Sequence, residues 1–133
     1  MTAARLVSIF WIAALSVLLV ACSAGKPEST IEAFYRAAAK GDVEKATELI
    51  SFGNVPAGQM VQAKGKVQMI VGEMQRRIQA NDGLDTIEMV DVKVDEAGKT
   101  AAVRSKVKFK NGKEQVENHR LVKEDGDWKI QLR

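Results

Sequence analysis

Cysteine occurs once in this chain of 133 residues, at Cys22. An intramolecular disulfide is therefore excluded, and so is a metal site built from several thiolates. Histidine also occurs once, at His119. No His/Asp/Glu group stands at metal-ligand spacing, and there is no phosphate-binding glycine loop and no nucleophile motif. Aromatic residues are only 5% of the chain, and the basic stripe Arg104, Lys106, Lys108 and Lys110 carries no interleaved aromatics on its face, as single-stranded nucleic acid would need. The formal net charge of +3 is too mild to argue for nucleic acid at all. No cofactor and no nucleic-acid partner are expected. Charge itself is missing from one segment, "LVSIFWIAALSVLLVA", Leu6 to Ala21. Elsewhere charged residues are frequent, 28% of the whole, and the mean hydropathy is −0.14. The length and composition fit one soluble globular domain behind an apolar leader.

Arg5 precedes the apolar run, giving a positive start and an apolar middle. The run is short for a bilayer span, which takes about 20 residues. It ends in small residues at "LVAC", Leu19 to Cys22. This stretch resembles the lipobox of bacterial lipoprotein signal peptides. The resemblance implies a diacylglycerol on the Cys22 sulfur, cleavage before Cys22, and acylation of the new amino terminus. Residues 1–21 are then a signal peptide, 22–29 the lipidated cysteine and tether, and 30–133 the folded domain. Loss of Arg5 lowers the net charge by one, and no free thiol remains. Each buried methylene contributes about 0.8 kcal/mol, so two or three acyl chains hold firmly to a bilayer. The expected location is the bacterial cell envelope. Ser23 in place of Asp is compatible, by the same resemblance, with the outer membrane facing the periplasm of a Gram-negative cell. "SAGKPES", Ser23 to Ser29, reads as a short polar tether that keeps the domain near the membrane.

The first half of the domain reads as helix. Ser29 and Glu32 have capping-box spacing, and Ile31, Phe34, Tyr35 and Ala38 form one apolar stripe. Gly41 is a natural stop, and Asp42 caps a second short helix, "VEKATELI". A third segment, "QMVQAKGKVQMIVGEMQRRIQAND", places Met60, Val67, Ile70, Val71, Met74 and Ile78 on one side. Its methionines at helical spacing read as core filler.

The second half reads as four strands, "DTIEMVDVKV", "TAAVRSKVKFK", "KEQVENHRLVK" and "WKIQLR", separated by turn signals. Helices first and strands later predict an α+β domain: N-terminal helices packed on one face of a curved, antiparallel, four-stranded meander. "FYRAAAKGDVEKATELI" followed by a meander ending "LVKEDGDWKI" is similar to small bacterial lipoproteins with a cystatin-like or nuclear-transport-factor-2-like domain. The resemblance implies a cone between helices and sheet. That broader fold includes isomerases, dehydratases and pure binding modules, so it does not choose a chemistry.

Asn111-Gly112 is the preferred pair for a two-residue type I′ turn. It sets Val107 opposite Val116 and Arg104 opposite His119. Continuity of the apolar face then favours a three-residue loop at Glu124-Asp125-Gly126, pairing Val122 with Trp128. In this register Ser105, Asn118 and Arg120 point inward among apolar residues and are the candidate ligand-binding set. His119 falls on the charged outer face as a solvated histidine. Tyr35 packs in the core with no base facing it. Arg104, Lys106, Lys108 and Lys110 form an outward cationic stripe, suited to an anionic surface or an envelope protein. Three functions follow in order. The first is a membrane-anchored, non-enzymatic binding or interaction module, with the bilayer as its partner through Cys22. The second is a small-ligand binder using the cone. The last is an isomerase-like enzyme.

Overall fold

The computed structural model describes residues 25–132. Cys22 and the whole signal segment lie outside the described residues. Helix α1 spans Pro27–Lys40 and begins earlier than the capping-box spacing predicts. Pro27 occupies its first turn, where a missing N–H costs nothing, and no side chain caps the start. Glu32 instead pairs with Arg36 one turn on, at 2.8 Å. Gly41 ends the helix with φ 68°, and a Cβ there would also meet the Gln75 side-chain amide at 2.6 Å. Helix α2, Val43–Glu48, is capped as expected, with Asp42 Oδ1 accepting the Lys45 N–H at 3.0 Å. Helix α3 runs Met60–Ala80 behind a short 3-10 turn at Ala57–Gln59. Gly65 and Gly72 do not break it. Its buried side is Val67, Val71 and Ile78, with Ile70 and Met74 partly covered.

Five strands form one sheet. The four expected ones are present, and a two-residue strand β1, Ile50–Ser51, adds to them. The others are β2 Leu84–Val94, β3 Thr100–Phe109, β4 Glu114–Glu124 and β5 Asp127–Gln131. Their spatial order is β1-β5-β4-β3-β2, antiparallel except that β1 runs parallel to β5. Two residues are too few to show a period, so β1 had no sequence signal; the Ile130 N–H holds it by bonding Leu49 O at 2.8 Å.

The register of β4 corrects the sequence expectation. Observed partners are Val103 with His119, Ser105 with Glu117 and Val107 with Gln115. The loop after β3 holds three residues, not two. Phe109 O accepts the Gly112 N–H at 3.0 Å, the Phe109 N–H bonds Lys113 O at 2.9 Å, and Gly112 takes φ 88°. That is a type I turn closed by a G1 bulge. The turn after β4 is the two-residue one, with Asp125 at φ 50° and Gly126 at φ 86°, and it pairs Glu124 with Asp127. Both central residues at positive φ make it type I′.

The change turns β4 over. Gln115, Glu117, His119 and Leu121 face the helices. Val116, Asn118, Arg120 and Val122 face outward. The core lies between α1, α3 and the inner sheet face, with Ile31, Val67, Val71, Val103 and Leu121 at 1% exposure or less. Trp128 and Ile130 close one end of it.

Candidate functional site

Tyr35 sits on the buried stripe of α1, where an apolar helix face would leave its hydroxyl without water. A buried phenol needs a polar partner. Strand β4 supplies two. The Tyr35 hydroxyl donates to Glu117 Oε2 at 2.7 Å, and its oxygen lies 3.2 Å from His119 Nε2. Since the phenol proton goes to Glu117, the histidine nitrogen acts as donor toward Tyr35. Ser105 Oγ stands 3.1 Å from the same nitrogen. The two rings meet edge to face, 5.8 Å between centroids. Glu117 Oε1 accepts from Gln115 Nε2 at 2.6 Å and from Arg77 Nη1 at 3.5 Å. Arg77 is itself held by Glu73, one turn earlier on α3, at 3.1 Å.

Burial and the Glu117 carboxylate together push the Tyr35 phenol far above its ordinary value; Ser105 and Arg77 oppose them weakly. The tyrosine therefore stays a neutral donor throughout the physiological range. Among the described residues no buried side-chain polar atom is left without a partner. The network is closed on itself. No group of three His, Cys, Asp or Glu residues among those described could hold a metal ion.

Two spaces adjoin this network. One, of about 10 Å³, is lined by Tyr35, Met74, Arg77, Glu117 and neighbours. That is about the room of a single water. The other is an open cleft of about 200 Å³ between the helices and the β4–β5 edge. Phe34, Ile50, Ile70, Met74, Ile130 and Leu132 make its apolar wall, and Glu117, Asn118, His119, Arg120 and Gln131 its polar part.

The predicted ligand set does not converge in this structure. Ser105 faces inward as expected and is fully buried, but its hydroxyl meets His119. Asn118 and Arg120 are exposed and leave β4 on the outer face, although both border the cleft. His119, expected in solvent, is half-buried against Tyr35. Glu117 is the carboxylate that the sequence reading did not find facing Tyr35. The missed signal was Tyr35 itself, whose buried hydroxyl demands polar residues on the inner strands. Arg104, Lys106 and Lys108 do face outward on β3, and Lys110 continues them into the loop.

Helices set against one face of an open, mostly antiparallel sheet, with a cleft between the layers, define an NTF2-like fold. Residues 20–131 match the family described as Domain of unknown function (DUF4878), and the chain belongs to that family. The fold is similar to a crystal structure from Campylobacter jejuni that carries the name NTF2-like transpeptidase. The two share 21% identity with a TM-score of 0.74, over 81% of this chain and 99% of that one. It is also similar to a SEC-C motif protein of Rhodopseudomonas palustris solved in solution. There the identity is 14% and the TM-score 0.50, over 82% of this chain and 77% of that one. These likenesses carry the fold alone. None of the curated proteins matches the sequence.

Proposed function

We propose that this chain is a lipid-anchored envelope protein whose NTF2-like domain binds a small, largely apolar ligand in the cleft beside His119. The cleft carries the reading: about 200 Å³, open, with one apolar wall and a polar side along β4. Drug-sized pockets run from about 300 to 1,000 Å³. The ligand is correspondingly small, of the order of one aromatic ring with one polar group. Binding without turnover is the better account of the polar network. Tyr35 and Glu117 do converge, as an acid-base pair would. They are bonded to each other, however, and the space at the pair holds about 10 Å³. Glu117 also borders the larger cleft but Tyr35 does not, so a ligand there meets the carboxylate without the phenol.

The probes are phenol and benzyl alcohol, followed by amide chemical shifts. Saturable shifts at Ile70, Met74 and His119 are expected, and Ile70→Trp, which fills the cleft, should abolish them while the melting temperature holds. Failure of both probes to saturate, or equal binding by the variant, would remove the cleft as a ligand site.

The anchor half of the reading rests on Arg5, the uncharged run and Cys22. Among the described residues no helix is long and apolar enough to cross a membrane. Cys22→Ala should lose metabolic labelling by palmitate and move from the membrane fraction to the soluble one. Unchanged labelling and retention would contradict the anchor.

A further inference from the structure

The outer face of the sheet carries a second feature, on the side away from the helices. Its cationic stripe divides in two. Lys108 pairs with Glu88 at 3.4 Å and with Glu114 at 3.8 Å, and Lys106 also reaches Glu114 at 3.8 Å. That half neutralises itself. Arg104 and Arg120 are exposed and enter no ion pair among the described residues. Register makes them diagonal neighbours, because Arg104 stands opposite Asn118 and Arg120 opposite Ala102. Diagonal positions lie about 7–8 Å apart, so two guanidinium groups can close on one ligand. Lys93 faces Ala102 from the other side. The Ala102 methyl is thus a low floor between Lys93 and Arg120. Over it runs an open groove of about 600 Å³, bordered also by Thr100, Val122 and Gln131.

Two acids come near without cancelling the arginines. Asp91 is the register partner of Arg104, yet its carboxylate turns to Lys93 Nζ at 3.7 Å. Asp95 borders the groove but accepts the Lys99 N–H at 2.8 Å and the Thr100 hydroxyl at 3.0 Å. Its lone pairs are taken by its own turn.

We propose that the Arg120 end of this groove, with Arg104 and Asn118 beside it in register, is a second binding site, for a soluble molecule carrying a phosphate monoester. A carboxylate offers two oxygens, enough for one guanidinium fork. A terminal phosphate offers three and can accept from both arginines at once. Asn118 adds an amide donor between them. A bilayer of anionic lipid is the weaker occupant. The turns at this end of the sheet carry Asp95, Glu96, Glu124, Asp125 and Asp127. A cation beside such a surface contributes about 1 kcal/mol, and each acid opposes by a similar amount. A discrete anion in the groove meets only Asp95 of these acids, and that carboxylate is bonded within its own turn. The groove shares Arg120 and Gln131 with the rim of the cleft but opens on the other face of the sheet.

The test uses the full chain in nonionic detergent, titrated with inorganic phosphate and with glycerol phosphate, against sodium chloride at equal ionic strength. Saturable amide shifts at Ala102, Arg104 and Asn118 are expected with both phosphates and not with chloride. The double variant Arg104→Gln/Arg120→Gln should weaken them at least tenfold, with the melting temperature unchanged. Arg120→Gln alone, which touches no ion pair, should weaken them several-fold and serves if the double variant is unstable. Shifts that follow ionic strength only, or that survive both variants, would overturn the site. So would arginine-dependent sedimentation with phosphatidylglycerol vesicles in the absence of a phosphate response, since the occupant would then be a membrane.

Discussion

Leu121→Ala should lower stability by about 2–5 kcal/mol, and Val122→Ala by about 1 kcal/mol or less. Leu121 is fully buried, in the middle of the inner face of β4. Its loss removes apolar transfer energy and leaves a cavity that α1 and α3 cannot fill without shifting. Val122 projects from the opposite face and is only half covered. Urea unfolding followed by circular dichroism measures both, and the midpoint should fall with the slope unchanged. The pair also tests the register. If β4 were turned the other way, Val116 and Val122 would be core residues and Leu121 a surface one, and the order of the two variants would invert.

That inversion is what the pattern of the chain suggests when β4 is read by itself. One face holds Gln115, Glu117, His119 and Leu121; the other holds Val116, Asn118, Arg120 and Val122. The second face carries two valines against one leucine, so hydrophobic alternation favours the wrong side. Turn chemistry does not decide either. Asn111-Gly112 and Asp125-Gly126 each satisfy both a two-residue type I′ turn and a three-residue loop ending in a left-handed glycine. Exchanging the two assignments shifts β4 by one residue and restores β5. Trp128 and Ile130 therefore point inward in either reading, which is why the core at that end and the α+β layering were legible.

What fixes β4 is a contact between residues 82 positions apart, Tyr35 with Glu117. The phenol on the apolar stripe of α1 needs polar groups across from it, and the inner face that looks less apolar is the one that supplies them. The helices were legible because their stripes are local: Ile31, Phe34 and Ala38 on α1, Val67, Val71 and Ile78 on α3. The cleft was legible only as a cone. Its lining depends on which way β4 faces, and so on Tyr35.

Tyr35 should remain un-ionised for as long as the protein stays folded. It is the one tyrosine in the chain, so phenolate absorbance reports it alone. Four groups face the hydroxyl: Glu117 and His119 on β4, Ser105 on β3, and Arg77 on α3 through Glu117. Burial is the largest influence raising its pKa, followed by the hydrogen bond to Glu117 and the charge of Glu117. In the unfolded chain the phenol ionises near pH 10. Below that value both states hold the proton and stability does not change on this account. Above it the unfolded state releases the proton while the folded state keeps it, so the unfolded state binds fewer protons and stability falls as pH rises. The loss from this group is about 1.4 kcal/mol per pH unit. Tyr35→Phe should remove that part of the alkaline slope. At neutral pH it should cost about 1.5–3 kcal/mol, because Glu117 loses a donor to a charged acceptor. Glu117→Gln should bring the ionisation part of the way down, since the carboxylate no longer opposes the phenolate but the burial remains. A spectrophotometric titration run beside far-ultraviolet circular dichroism gives the decisive comparison. Phenolate should appear only where the dichroism is lost; half-ionisation near pH 10 with the fold intact would mean that the hydroxyl is open to water and that the network at the base of the cleft is not closed.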